Sequence, residues 1–90
     1  MSYALQNKVV VITGASSGIG KALAEIAYQR GAYIAVCARD EQKLQETFKS
    51  MEVNRILTMK VDVSDEASCN AFIAATIAKF GGVDVLINNA

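Results

Sequence analysis

The stretch VVVITGASSGIG, residues 9–20, joins four consecutive apolar residues to a glycine-rich turn. The apolar run is typical of a buried strand, and the amphipathic pattern that follows the turn predicts a helix. Gly14 suits a sharp turn, Gly18 lets the main chain approach a ligand, and Gly20 lets the helix lie close to the strand. This order of strand, turn and helix predicts an anion-binding site at the start of the helix.

The first amides of such a helix have no partners within it, and the helix dipole is positive at that end. Together these two properties favour binding of the pyrophosphate of a dinucleotide. Two serine hydroxyls in the turn add further hydrogen-bond donors. The predicted cofactor-binding residues of the turn are Gly14, Ser16, Ser17, Gly18, Ile19 and Gly20.

The spacing T-G-x-x-x-G-x-G differs from the G-x-G-x-x-G of the commoner dinucleotide-binding fingerprint. It resembles the short-chain dehydrogenase/reductase family, and the resemblance extends from Lys8 to the end of the sequence. Three separated motifs carry it: the glycine turn, the pair DV at residues 62–63 and NNA at residues 88–90. The alternative is that the glycines merely end the strand and the helix in another kind of α/β protein.

Strand-like and helix-like stretches alternate along the chain, which predicts a parallel sheet. Right-handed crossovers and the doubly wound arrangement predict the strand order 3-2-1-4 in a three-layer α/β fold of Rossmann type. The strands are expected at residues 8–13, 33–37, 55–61 and 84–88. The helices are expected at residues 18–30, after a cap at Asp40, and from Ser64 and Asp65 onward.

Apolar residues at helical spacing predict the face that each helix buries. These faces are Ile19, Ala22, Leu23, Ile26 and Ala27 in the first helix, Leu44, Phe48 and Met51 in the second, and Phe72, Ile73, Thr76, Ile77 and Phe80 in the third. Gly31 is expected to end the first helix as a left-handed cap, and the pair Gly81 and Gly82 is expected to end the third. On the second helix, Lys43 and Lys49 are expected to point to water.

Composition excludes several classes of partner. Nine basic and nine acidic residues cancel, which gives no support for nucleic-acid binding. No apolar run approaches the roughly twenty residues of a membrane span, and no secretory signal is present, so we expect a cytoplasmic location and no membrane partner. Cys37 and Cys69 are far apart in a chain without histidine, which predicts two reduced packing residues and no metal site.

We expect residues 1–90 to form the N-terminal part of an NAD(P)-binding Rossmann domain, truncated after the fourth strand. In the complete fold, further strands and helices would cover the outer side of that strand. Leu86 and Ile87 are therefore expected to be exposed along one edge of the sheet.

The end of the second strand bears on the choice of cofactor. In dinucleotide-binding folds an acidic residue about twenty positions past the glycines binds the ribose hydroxyls and selects NAD. This chain has Ala38 there, followed by Arg39, whose guanidinium can pair with the 2′-phosphate of NADP. NADP is therefore the predicted cofactor and NAD the less favoured one. Two alternatives stay open: Asp40 as an acidic ribose ligand, and Arg39 as an ordinary surface arginine.

The resemblance implies further cofactor contacts. Asp62 occupies the family position whose carboxylate meets the adenine amino group, and the backbone of Val63 would meet the ring. Asn89 matches the second asparagine of an Asn-Asn-Ala-Gly signature that fixes the loop beneath the cofactor ribose. The alternative for Asp62 is a turn residue ahead of Ser64, and for Asn89 a carboxamide that binds main-chain groups.

The resemblance also implies the reaction of the intact protein: an oxidoreductase that transfers a hydride between nicotinamide and a small ketone or secondary alcohol, as a homo-oligomer. Its proton donor would be a Tyr with a Lys four residues on, and no Y-x-x-x-K occurs here. No catalytic residue is therefore assigned, and these residues alone are expected to be inactive. The alternative function is a stand-alone nucleotide-binding or interaction module without redox activity.

Overall fold

Four strands and three helices alternate within residues 4–16 and 18–89, which are the residues that the computed structural model describes. They are β1 (Val9–Thr13), α1 (Gly18–Gln29), β2 (Tyr33–Ala38), α2 (Glu41–Thr47), β3 (Ile56–Lys60), α3 (Glu66–Phe80) and β4 (Val85–Asn88). The strands form one parallel sheet in the order β3-β2-β1-β4. The predicted fold class and strand order are confirmed.

The register of the sheet brings the carboxyl ends of the strands together. Thr13 at the end of β1 lies beside Cys37 in β2 and beside Asn88 in β4. Ala38 at the end of β2 lies beside Lys60 in β3. The segments that follow the four strands therefore meet along one edge of the sheet, where doubly wound folds bind their ligands.

The core has one hydrophobic cluster on each face of the sheet. Buried side chains of alternate positions in β1 and β2, such as Val10 and Ile34, pack with α1 and α2. The intervening positions, such as Val11 and Ala35, pack with Phe72 of α3. Strands that are buried on both faces explain the continuous apolar runs in the sequence.

α1 buries a different face from the one that the sequence predicts. Gly20, Ala24 and Ala27 are buried, whereas Ile19 and Ile26 are 71% and 46% exposed. Small side chains let the helix axis lie close to the sheet, and at 3.6 residues per turn the two isoleucines lie more than about 100° from the centre of this small-residue face. The prediction of Ile19, Ile26 and Ala22 as core residues is wrong, because all three lie outside the face through which the helix approaches the sheet.

α2 and α3 largely follow the prediction. Leu44 and Phe48 are buried, as are Phe72 and Thr76, and the remaining predicted residues pack against them except Ile77. Ile77 is 48% exposed, because its position lies about 80° from the centre of the buried stripe. The caps agree with the sequence as well: the αL residue at the end of α3 is Gly81, with φ 90°.

β4 has one side in the core and one exposed. Leu86 is 59% exposed, as expected, whereas Ile87 is half-buried and packs against the cluster under α1 and α2. Successive side chains of a strand point to opposite faces of the sheet, so Leu86 and Ile87 lie on different faces. The expectation that Ile87 is exposed is therefore wrong.

Charged side chains at the amino-terminal edge of the sheet bind main-chain groups. The Arg55 guanidinium donates to the carbonyls of Tyr28 at 2.7 Å and Ala32 at 2.9 Å, and it lies 4.0 Å above the centre of the Tyr28 ring. Lys79 donates two 2.7 Å hydrogen bonds to carbonyls around the start of β3. Asp84 accepts from the first amide of β1 at 2.8 Å. These contacts fasten α1, α3 and the loops to the sheet.

None of the helices within the described ranges has the length and apolarity needed to cross a bilayer.

Candidate functional site

The glycine turn, residues 13–20, links β1 to α1 at the carboxyl edge of the sheet. Gly14 and Gly18 both have φ 64°, in the left-handed region that side chains disfavour. A Cβ on Gly18 would find no atom within 4 Å, so the backbone conformation and not crowding requires glycine there. The main chain at Gly18 therefore faces open space at the start of α1.

Gly20 is required for a different reason. A Cβ at this position would lie 2.6 Å from the carbonyl oxygen of Gly14 and 2.7 Å from Nδ2 of Asn89. Both distances are shorter than van der Waals contact, so the first turn of α1 packs directly on the glycine turn and on the end of β4. The predicted close approach of the helix is found here.

The residues at the end of β4 brace the glycine turn. The Thr13 hydroxyl donates to Oδ1 of Asn88 and accepts from the backbone amide of Asn89, both at 2.9 Å. Nδ2 of Asn89 donates to the carbonyl of Gly14 at 3.3 Å. The Asn89 carboxamide thus binds a main-chain group, which is the alternative role that the sequence leaves open for it.

A groove runs between the glycine turn, the end of β2 and the end of β3. We call it the inner groove; its volume is about 450 Å³, and its lining residues are Gly14, Ser16, Ala38, Arg39, Asp40, Lys43, Val61 and Val63. Residues of the glycine turn, of the end of β2 and of the pair at residues 62–63 meet in it, although they lie far apart in the sequence. Ile19 presents an exposed side chain at the start of α1, and Ser17 lies outside the described residues.

A second groove lies on the other side of Arg39. This outer groove has a volume of about 530 Å³ and is lined by Arg39, Asp40, Glu41, Lys60 and Asp62. Arg39 and Asp40 belong to both grooves, and both residues are exposed. The exposed guanidinium is therefore within reach of a ligand in either groove.

Asp62 forms a turn with Ser64. Its Oδ1 accepts from the Ser64 hydroxyl at 2.6 Å and from the Ser64 amide at 3.0 Å. These hydrogen bonds, followed by the charge of Arg39, lower the pKa of Asp62 below its usual value, so the carboxylate is ionised at neutral pH. The turn role that the sequence left open is present, and both bonds use the same carboxylate oxygen.

Asp40 caps α2. Its Oδ1 accepts from the amide of Lys43 at 3.0 Å, which is the geometry of an N-cap. The Thr47 hydroxyl donates to the carbonyl of Lys43 at 2.7 Å and lies 3.4 Å from the carbonyl of Ser16. The cap role predicted for Asp40 is confirmed, and Thr47 connects α2 to the glycine turn.

Sequence reasoning missed Lys43, which it assigned only to solvent. The residue is exposed, yet it lines the inner groove together with Arg39 and the glycine turn. Its place in the first turn of a helix that begins directly after the end of a strand is the signal that could have found it.

Beneath the glycine turn lies an apolar pocket of about 200 Å³ that contains both cysteines. Cys37 and Cys69 are free thiols, and burial raises the pKa of Cys37 to about 11. Cys37 is therefore a neutral packing residue at physiological pH, as predicted.

Two of the three tyrosines lie away from this edge. The Tyr28 hydroxyl accepts from the amide of Glu52, and the Tyr33 ring packs on Phe80 with 5.3 Å between the ring centres. Both belong to the amino-terminal side of the sheet, and Tyr3 lies outside the described residues.

The parallel sheet, its strand order and the braced glycine turn define a protein of the Rossmann fold. The sequence model of the short chain dehydrogenase family matches residues 8–90. The chain therefore belongs to the short-chain dehydrogenase family, which is a family of oxidoreductases.

Similar proteins agree with this membership. The chain is 40% identical over 87 residues to 2-(R)-hydroxypropyl-CoM dehydrogenase of Xanthobacter autotrophicus, with 93% of this chain and 35% of that protein covered. It superposes on apo glucose dehydrogenase of Caenorhabditis elegans with a TM-score of 0.91 and 32% identity, over 97% and 39% of the two chains. For the 3-ketoacyl-(acyl-carrier-protein) reductase of Brucella melitensis complexed with NADH, the TM-score is 0.86 at 34% identity, over 92% and 34%. The chain thus spans little more than a third of the length of these proteins.

Proposed function

We propose that this chain is the adenosine- and pyrophosphate-binding N-terminal part of an NADP(H)-dependent short-chain dehydrogenase/reductase. The bound nicotinamide would supply or accept a hydride at a ketone or secondary alcohol carbon. The family and the fold support a nicotinamide cofactor, and the residues along the carboxyl edge support its orientation. The substrate, the homo-oligomeric state and the cytoplasmic location stay predictions.

The glycine turn is the observation that carries this proposal. Gly14 and Gly18 are left-handed, Gly20 packs closely on the turn, and a Cβ at Gly18 would meet no atom within 4 Å, so there is open space at the start of α1. Gly14 and Ser16 of the same turn line the inner groove. Unpaired amides at a helix start favour an anion such as a pyrophosphate. The residues proposed to hold it are Gly14, Ser16, Ser17, Gly18, Ile19 and Gly20.

The adenosine half would occupy the inner groove. Val63 is 43% exposed and lines this groove, so it offers an apolar surface to an adenine ring. Asp62 lies two residues after the end of β3 and lines the neighbouring outer groove. Because Ser64 binds only its Oδ1, the second carboxylate oxygen can accept from an adenine amino group that reaches toward it. Asn89 supports the same site through its bond to Gly14.

Arg39 is the residue proposed to determine the preference for NADP over NAD. The Brucella reductase was solved with NADH, so membership of the family does not decide between the two cofactors. Here the position that would carry the NAD-selecting acid is the buried Ala38, and the exposed guanidinium of Arg39 follows it. A guanidinium can bind the 2′-phosphate through two hydrogen bonds, whereas it gains less from a hydroxyl.

Titration of the protein with NADPH and NADH tests the proposal, with binding measured by calorimetry. NADPH is expected to bind more tightly than NADH. Arg39→Ala is expected to reduce the binding free energy of NADPH alone by about 1.5 to 3 kcal/mol, because a charge-assisted hydrogen bond is lost. Arg30→Ala, at an exposed position beyond the far end of α1, is the matched control and should change neither affinity. Tighter binding of NADH by the unmodified protein would contradict the proposed cofactor, and an equal loss of both cofactors would show that Arg39 acts through packing.

A further inference from the structure

The two grooves beside Arg39 differ in formal charge. The inner groove contains two cations, Arg39 and Lys43, against the single carboxylate of Asp40. The outer groove contains two cations, Arg39 and Lys60, against three carboxylates, those of Asp40, Glu41 and Asp62. A dianionic phosphate near Arg39 is therefore favoured on the inner side and disfavoured on the outer side.

Lys43 is the residue that makes the inner groove positive. Asp40 directly follows Arg39 and lines the same groove, so its charge offsets that of the guanidinium. Without Lys43 the lining would be neutral, and it would attract a phosphate little more than it attracts the hydroxyl of NAD. The glycine turn provides no compensating cation, because its polar side chains are the hydroxyls of Thr13, Ser16 and Ser17.

The backbone of Lys43 is fixed relative to the glycine turn. Its amide donates to the Asp40 carboxylate and its carbonyl accepts from Thr47, whose hydroxyl also lies 3.4 Å from the Ser16 carbonyl. The flexible side chain therefore starts from a defined point on the groove wall. Lys49, by contrast, holds its ammonium 2.6 Å from the Glu46 carboxylate and lines neither groove.

We propose that Lys43 supplies the second positive charge for the 2′-phosphate of NADP(H) and is, with Arg39, a specificity-determining residue. This inference rests on the proposed function. Arg39 gives the bidentate contact, and Lys43 turns a neutral groove into one that distinguishes a phosphate from a hydroxyl.

The test compares Lys43→Gln with the matched variant Lys49→Gln in calorimetric titrations with four probes: NADPH, NADH, 2′,5′-ADP and 5′-AMP. Lys43→Gln is expected to lower the affinity for NADPH and for 2′,5′-ADP about 5- to 10-fold, because that is the size of one exposed charge-assisted contact. NADH and 5′-AMP should stay within about twofold, since they lack the 2′-phosphate. Lys43→Arg should restore most of the loss, added salt should shrink it, and Lys49→Gln should change no affinity.

The outcomes separate this inference from the proposed function. If Lys43→Gln leaves NADPH binding unchanged, or lowers the affinity for all four probes equally, the role proposed for Lys43 is wrong and the proposed function stands. If the unmodified protein binds neither dinucleotide, the proposed function fails and the role of Lys43 fails with it. An unchanged melting temperature for Lys43→Gln excludes loss of folding as the cause of weaker binding.

Discussion

The two edges of the sheet use their charged side chains in different ways. At the amino-terminal edge, Arg55, Lys79 and Asp84 each bind main-chain groups and hold helices and loops to the strands. At the carboxyl-terminal edge, Arg39 and Lys43 line open grooves instead. Charged groups that bind the backbone contribute to stability, whereas charged groups in a groove are available to a ligand.

This difference indicates where substitutions should act. A change at the amino-terminal edge should lower the free energy of unfolding and leave cofactor binding intact. A change in the grooves should alter cofactor affinity and leave the free energy of unfolding nearly unchanged. The glycine turn belongs to both categories, because Gly20 packs closely against it while Gly14 and Ser16 line the inner groove.

The largest effect is expected for Gly20→Ala. The new Cβ would lie 2.6 Å from one backbone oxygen and 3.0 Å from the Cα of Ala15, so the main chain of the glycine turn must move. We expect a loss of about 2 to 3 kcal/mol in the free energy of unfolding, as for other overpacked sites, together with a large loss of NADPH affinity. Urea denaturation and calorimetry measure the two effects.

Gly82→Ala is the matched control for that substitution. A Cβ at Gly82 would meet nothing within 4 Å, so neither stability nor binding should fall. If Gly20→Ala is as well tolerated as Gly82→Ala, the close contact of α1 with the glycine turn is wrong.

Arg55→Met tests whether the amino-terminal edge contributes to stability without contributing to cofactor binding. The variant keeps an apolar stem but loses hydrogen bonds to two main-chain carbonyls and the cation over the Tyr28 ring. We expect the free energy of unfolding to fall by about 2 kcal/mol, with the NADPH dissociation constant unchanged within about twofold. Arg30→Met, at an exposed position, serves as the control in urea denaturation. A selective loss of NADPH binding in Arg55→Met would contradict the claim that charged residues at the amino-terminal edge act on stability alone.

The smallest effect is expected for Asp40→Asn. Asparagine caps a helix as well as aspartate does, so stability should change by less than about 0.5 kcal/mol. Loss of the carboxylate makes the inner groove more positive, and NADPH affinity should rise about two- to threefold while NADH affinity stays constant. Glu41→Gln, which removes a carboxylate only from the outer groove, is the control. A fall in NADH affinity would instead identify Asp40 as the acidic ribose ligand.

Local signals in the sequence were sufficient for most of the fold. Apolar runs, glycines and capping residues gave the order of elements, and the general rules for parallel sheets gave the strand order. Asp40 and Gly81 occupy the capping positions that their residue types predict. These features depend on neighbours in the chain or on rules common to all such folds.

The misassigned residues depend on contacts between distant segments. The exposure of Ile19 and Ile26 follows from how α1 packs its small residues on the sheet, which periodicity does not report. Lys43 becomes a candidate only when α2 is placed beside the glycine turn.

The brace of the glycine turn also has a consequence for the order of folding. Asn89 and Gly14 are separated by 75 positions, and closing so long a loop costs conformational entropy before any contact repays it. During synthesis, the carboxyl end of β1 leaves the ribosome long before its partner after β4. The braced glycine turn is therefore among the last parts of this unit to mature, and a nascent chain acquires it only after Asn89 has emerged.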